Sequence, residues 1–177
     1  MSVIEIRTAL PAHVRGIADL VRPMADARIL VSKELIAYFE DVQEFVVALD
    51  GSRVVGCGAL HILWEDIAEI RTLAVHPDYR GQRLGNEIYA ELEHRARAMD
   101  LRRLFCLTFE TSFFGRLGFQ TIEGTPVGED VYMEMLRSHD EGLAEFLDLA
   151  RVKPNTLGNT RMLKELDPAG DTGPGDA

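Results

Sequence analysis

Residues 80–85 read Arg80-Gly81-Gln82-Arg83-Leu84-Gly85, a composition suited to holding phosphate. Gly81 and Gly85 let the backbone come close to an anion, and Arg80 and Arg83 can add charge-assisted hydrogen bonds. This is not a Walker loop, which needs a Gly-Lys-Ser/Thr ending, and the dinucleotide spacing G-x-G-x-x-G fails as well. Upstream stands Glu69, with Arg71 two residues later. A carboxylate there could take the proton of an ammonium and free an amine to attack. It could equally be a structural partner of Arg71. His61 is a second, weaker candidate base, since imidazole exchanges protons near neutrality. A lone histidine on an apolar strand is more often simply packed. Cys57 and Cys106 have no base at a recognisable spacing, so neither reads as an acyl carrier. No Cys/His cluster has metal-ligand spacing, and no metal is expected.

These groups need a strand, a turn and a helix to hold them. Residues 67–75 read as a strand that Pro77 and Asp78 break. Residues 84–99 form the clearest helix, with Leu84, Ile88, Leu92 and Ala96 at four-residue steps and Glu and Arg on the other face. A strand, a short glycine-bearing turn and a helix start present several unpaired N–H groups at one point. The helix dipole adds partial positive charge, and the whole suits a diphosphate. On the strand, alternation predicts that Glu69, Arg71, Leu73 and Val75 share one face.

The rest of the chain supplies the frame. Residues 3–8 alternate as a half-buried strand. Val14, Ile17, Ala18 and Val21 place a helix over 12–21, and residues 33–39 suggest a second with Ser32 as N-cap. Residues 44–49 and 53–63 read as a hairpin around Asp50-Gly51. Gly56 and Gly58 within it predict a bulge or a close backbone approach. Strand 103–109, a short helix at 112–117, a strand beginning at 119–122, a helix at 143–149 and a last strand at 161–166 follow. There is no internal repeat. The order predicts an α/β (α+β) domain with a mixed central β-sheet flanked by helices.

With 177 residues, the chain suits one domain over residues 1–166. Residues 167–177 are Gly, Pro and Asp with little apolar content and are expected to be a disordered tail. The formal net charge of −10 opposes binding to nucleic-acid backbones. No apolar run approaches the ~18–20 residues of a membrane span. With no secretion signal and two cysteines in apolar strand-like runs, a reducing cytoplasm is the expected location.

The segment LAVHPDYRGQRLG resembles motif A of the Gcn5-related N-acetyltransferase (GNAT) family, Q/R-x-x-G-x-G/A. Arg80 and Gly85 match its ends. Arg83 stands where the motif has its middle glycine, which implies a position without a strict positive φ. The resemblance implies the GNAT fold and acetyl-CoA as co-substrate. It assigns the backbone of Leu73, Ala74 and Val75 to the pantetheine arm. Arg80, Gly81 and the amides of Gln82, Arg83, Leu84 and Gly85 would hold the pyrophosphate. Glu69 matches the position of the general base in histone-type members. The tyrosine acid many members carry is absent, because residues 111–119 offer only phenylalanines, Phe113 and Phe114 among them.

A narrower resemblance is to the N-acetylglutamate synthases, through IRTLAV and LFCLTFETSFFGRLGF. It is greatest to their short single-domain actinobacterial members. It runs through ILVSK, YFEDVQEF, VVGCGALHILWED, EIRTLAVHP, FCLTFETSFF and VKPNTLGNTRML, and so covers nearly all of residues 3–166. It implies acetylation of the α-amine of L-glutamate, with L-glutamine left open, as the first step of arginine biosynthesis. The amine would attack the thioester directly, with no acyl-enzyme. Such an acceptor needs donors for its carboxylates. Lys33, Arg71, Thr108 and Arg161 are the candidates, beside bland readings of each as a solvated or structural residue. Two alternatives stay open: an acceptor that is a protein N-terminus or another small amine, and a non-catalytic acetyl-CoA-binding regulator. The resemblance also implies a homodimer, which no residue here dictates.

Overall fold

The computed structural model describes residues 3–30, 33–138, 140–147 and 158–167. The chain forms two compact units, residues 1–106 with 165–177, and residues 107–164. The first is built of β1 (Ile4–Thr8), α1 (Val14–Asp26), α2 (Leu35–Glu40), β2 (Phe45–Asp50), β3 (Arg53–Ile62), β4 (Ile67–Val75), α3 (Leu84–Ala98) and β5 (Arg103–Thr108). Strands β1 to β4 pair antiparallel in chain order, and β5 joins β4 in parallel. The expected mixed sheet flanked by helices is the architecture observed.

Strand β2, Phe-Val-Val-Ala-Leu-Asp, is buried at all but its last residue, because both faces of the sheet are covered. On one face lie α1 and α2. Val14, Ile17 and Val21 of α1 and Tyr38 of α2 pack with Phe45, Val47, Cys57, Ala59 and Ala74 of the strands. On the other lies α3, with Ile88, Leu92 and Ala96 fully buried. Gly56 and Gly58 point at that helix. A Cβ on Gly58 would lie 2.8 Å from Leu92 Cδ1 and 3.1 Å from both Ile88 Cγ2 and Leu73 Cδ1. The expected close approach is therefore real, and its partner is α3. Gly58→Ala is predicted to destabilise the fold by about 1–3 kcal/mol through overpacking. The urea unfolding midpoint checks this.

Several element ends differ from expectation. Helix α1 continues to Asp26 through Pro23, which removes one internal N–H bond close to the helix end, where the loss is small. Helix α2 begins at Leu35 with Glu34 at its N-cap and no side-chain cap. Ser32, the expected cap, lies outside the described residues. The hairpin turns where expected, with Asp50 paired to Arg53. Asp167, assigned to the tail, accepts a hydrogen bond on its carbonyl from Arg97 Nη1 at 2.9 Å; residues 168–177 lie outside the described residues.

The second unit carries α4 (Thr111–Arg116), β6 (Gln120–Thr121), α5 (Glu129–Met135), α6 (Glu141–Phe146) and β7 (Thr160–Glu165). β6 pairs antiparallel with β7. Phe114 stands edge-on to Phe113 and Phe119, each at 5.2 Å between centroids, so these phenylalanines are packing groups. The helix expected over 143–149 is α6, shifted toward the N-terminus, and residues 148–150 are outside the description. Among the described residues, no helix is long and apolar enough to cross a membrane.

Candidate active site

Strand β4 positions the candidate residues, and one local irregularity divides it. Arg71 pairs with Ala59 and Ala74 with Cys57, so the register slips between them. Thr72 sits at the slip with φ 54°, a left-handed conformation that is a genuine outlier for a β-branched residue. Its carbonyl accepts a bond from the Cys57 thiol at 3.5 Å. A bulge of one residue inverts the alternation beyond it. Glu69 and Arg71 therefore face the α1 side, as does Ala74, whereas Leu73 turns to Gly58 beneath α3. The expectation that Glu69, Arg71, Leu73 and Val75 share one face is corrected: Val75 pairs with Gly56, on the α3 side.

Past the bulge, β4 leads through a 3-10 turn, Pro77–Tyr79, into the loop. Two side-chain contacts brace this turn against the β2–β3 hairpin: Tyr79 O–H donates to Asp50, and Arg53 bonds the His76 ring at 2.8 Å. Gly81 has φ 79° and Arg83 φ 64°. Arg83 is thus in the left-handed region, contrary to the expectation drawn from its substitution for a glycine. It is the N-cap of α3, and the strain of about 1–2 kcal/mol for an L-residue is small enough for the surrounding turn to hold. Left-handed residues in such a turn aim successive amides at one point, an anion nest. The first helical amide with a carbonyl partner is that of Asn86, bonded to Arg83 O at 2.9 Å. The amides of Leu84 and Gly85 lie ahead of it. Arg80 and Arg83 are exposed and, among the described residues, neither side chain has an ion pair or hydrogen bond. In a chain of net charge −10, two such cations beside an amide nest fit a diphosphate.

β4 and β5 pair only from Ile67↔Arg103 to Glu69↔Phe105, whereas β4 runs on to Val75. The β5-facing edge of Leu73, Ala74 and Val75 thus has no strand in the described pairings. Such an edge can pair with an amide-bearing arm.

Glu69 and Thr108 are the two polar residues among the described residues that are buried. Arg71 Nε donates to Glu69 Oε2 at 2.6 Å, and both side chains are less than a tenth exposed. Arginine and candidate base therefore form one buried unit. Thr108 Oγ1 accepts the amide of Glu110 at 2.8 Å and so shapes the approach to α4. Lys33 is paired with Asp41 at 3.1 Å and lines a pocket between α1 and α2 with Arg15, Arg22 and Tyr38. Arg161 donates from Nη2 to the carbonyls of Gly124 at 3.0 Å and Phe146 at 2.6 Å. It bonds the C-terminal end of α6, so this nitrogen is not merely solvated as the bland reading of it had it.

One pair escaped the sequence reading. His61 Nδ1 lies 2.8 Å from Glu44 Oε1, and His61 is the cross-strand neighbour of Glu69. No spacing in the chain links Glu44 to His61; only the β2–β3 register does.

Both cysteines are buried and free. Burial pushes the Cys57 thiol up to about 12, and burial with the nearby Glu69 carboxylate raises Cys106 as well. At pH 8 only about one Cys57 in 10⁴ would be thiolate, the reactive form. Neither is expected to react with a thiol reagent at that pH until the protein unfolds, which a timed alkylation with and without denaturant checks.

The acetyltransferase (GNAT) family model matches residues 17–119, more than half of the chain. An amino-acid acetyltransferase of Mycobacterium tuberculosis is 53% identical over 162 residues, covering 89% of this chain and 92% of that protein. A crystal structure of a Mycobacterium tuberculosis protein in complex with CoA and NLQ matches with a TM-score of 0.88. It is 51% identical, over 92% of this chain and 99% of that one. An N-acetylglutamate synthase from Neisseria gonorrhoeae, complexed with coenzyme A and N-acetyl-glutamate, shares the fold at 23% identity and a TM-score of 0.74. The match covers 94% of this chain and 36% of that one. Longer curated amino-acid acetyltransferases are matched over only 27% of their own length. An amide nest at the start of α3, a bulged strand leading to it and a family model spanning both converge on one conclusion: the chain belongs to the GNAT acetyltransferase family, with acetyl-CoA as its co-substrate.

Proposed function

We propose that the protein acetylates the α-amine of a free amino acid, L-glutamate first and L-glutamine as its close rival, as the opening step of arginine biosynthesis in the cytoplasm. The observation that carries this reading is the buried Glu69–Arg71 pair on the strand that leads into the phosphate nest. An ammonium cannot attack a thioester, so Glu69 takes its proton. The neutral nitrogen then bonds to the acetyl carbon and sheds its second proton as the C–S bond breaks; the electron pair of that bond leaves on the CoA sulfur, which takes up that proton. The nest at residues 81–85 holds the diphosphate, and the Leu73–Ala74–Val75 edge holds the pantetheine amides, so the thioester lies along β4 toward Glu69.

Arg71 presents a guanidinium beside the base, where a carboxylate of the acceptor is recognised by fork geometry. Lys33 offers a second cation, with the acceptor taking the place of Asp41. A basic peptide acceptor fits this set poorly. The amino-acid acetyltransferase that is 53% identical over nearly its full length supports the same reaction class.

The test is release of free CoA from acetyl-CoA with each amino acid offered in turn. Turnover with glutamate or glutamine and with no other supports the reading. CoA binding without turnover on any amino acid replaces it with a protein acceptor or a regulator.

A further inference from the structure

We infer that His61, oriented by Glu44, is the relay that carries the proton from Glu69 to solvent. This rests on Glu69 being the base that accepts the amine's proton. A carboxylate buried to 5% exposure must be emptied before the next turnover, and Arg71 cannot do it, because a guanidinium has no acceptor site. His61 stands directly opposite Glu69 in the β3–β4 register, and side chains of such a pair have Cβ atoms about 4.5–5.5 Å apart. That is within reach of a direct transfer or one through a single water.

Glu44 settles which ring nitrogen is free. Its carboxylate only accepts, so the 2.8 Å contact puts a hydrogen on Nδ1 and leaves the lone pair on Nε2. Nε2 takes the proton from the Glu69 carboxyl, and the imidazolium so formed is held by Glu44. Both side chains of the pair are a fifth to a quarter exposed, so the proton leaves to water from there and the neutral ring returns. No bond other than these N–H and O–H bonds changes.

The surroundings of His61 suit this. β4 contributes Glu69 and Arg71, and the turn before β2 contributes Glu44. The inner faces of α1 and α2 present Val14, Ile17, Val21 and Tyr38. Tyr38 is neutral at ordinary pH, its hydroxyl pushed up by burial. The charged groups named are thus Glu44, Glu69 and Arg71.

The experiment is steady-state turnover of His61→Gln, Glu44→Gln and Glu69→Gln, with whichever of L-glutamate or L-glutamine is the acceptor, at rising imidazole concentration. The wild type is expected to be indifferent to imidazole. His61→Gln is expected to lose about tenfold in kcat, less than the ~10²–10⁴ of a group that itself takes the proton in the transition state, because the relay acts after Glu69 has accepted it. Its KM for both substrates should be unchanged, and added imidazole should restore the rate. Glu44→Gln should show a smaller loss with the same rescue, and it carries the test alone if His61→Gln does not fold. Glu69→Gln should be slow and not rescued. An undiminished His61→Gln, or a loss that imidazole does not restore, overturns the relay and leaves Glu69 as base. An undiminished Glu69→Gln beside a rescued His61→Gln instead removes Glu69 as base, and with it the relay through Glu69.

Discussion

Gly85→Glu is expected to weaken CoA binding at least ~100-fold while the protein melts at or slightly above the wild-type temperature. The two halves of this result come from opposite effects of one carboxylate. Gly85 is the second residue of α3 and has no positive φ, so an ordinary side chain fits its backbone. Replacing a helical glycine gains about 0.5–1 kcal/mol in propensity, and an acid in the first turn is favoured by the helix dipole. The same carboxylate stands where a diphosphate would meet the amides of Gln82 to Gly85. Like charges at about 4 Å repel by roughly 4 kcal/mol at an effective dielectric of 20, more than the ~100-fold loss requires. Calorimetric titration with CoA and a thermal melt read the two halves separately. Full affinity in the variant would show that the pyrophosphate lies elsewhere. A folded protein without affinity places it at the start of α3.

The amino-acid sequence made this loop legible because its signals are local. Pro77 ends a strand, glycine marks a turn, and Leu84, Ile88 and Leu92 begin an amphipathic helix; the structure puts β4 at Ile67–Val75 and the start of α3 at Leu84, as read. The hairpin at Asp50 was legible for the same reason. What escaped depends on partners far along the chain. Thr72 carries no mark of a bulge. Its left-handed backbone is imposed by β3, where Gly58 leaves room for Leu73 to turn beneath α3. Alternation by twos therefore failed midway along β4, and it failed between Glu69 and the open edge at Leu73 to Val75. Arg83 misled for a related reason: residue type states a preference of a kcal/mol or so, and a helix start held by the 3-10 turn before it overrides that. Helix α5 was not foreseen because, of its seven residues, only Met135 is buried, too little for an apolar period to show. Arg161 could be placed only once Gly124 and Phe146 were seen to present carbonyls to it.

Glu69→Gln is expected to leave CoA affinity intact and to lower turnover about 10²-fold near neutral pH, the lower part of the range for a lost general base. The deficit should shrink as pH rises. Without the base, turnover follows the fraction of acceptor already neutral in solution, which grows about tenfold per pH unit below the amine's own pKa. With Glu69 stripping the proton in the site, the wild type should depend on pH less steeply. Stability changes too, and its sign matters for reading the kinetics. The Arg71 side chain is 8% exposed and donates to Glu69 at 2.6 Å, so removing the negative charge takes away the carboxylate that faces a buried guanidinium. Breaking such a pair costs up to about 3–5 kcal/mol; the amide oxygen of glutamine still accepts the Nε hydrogen bond, which puts this variant at the lower end. Turnover must therefore be expressed per folded molecule, from activity and melting curves taken at each pH. A lower melting temperature with unchanged turnover per folded molecule at every pH would make Glu69 solely the structural partner of Arg71. A deficit that closes as the acceptor loses its own proton, with CoA still bound, assigns Glu69 as the base.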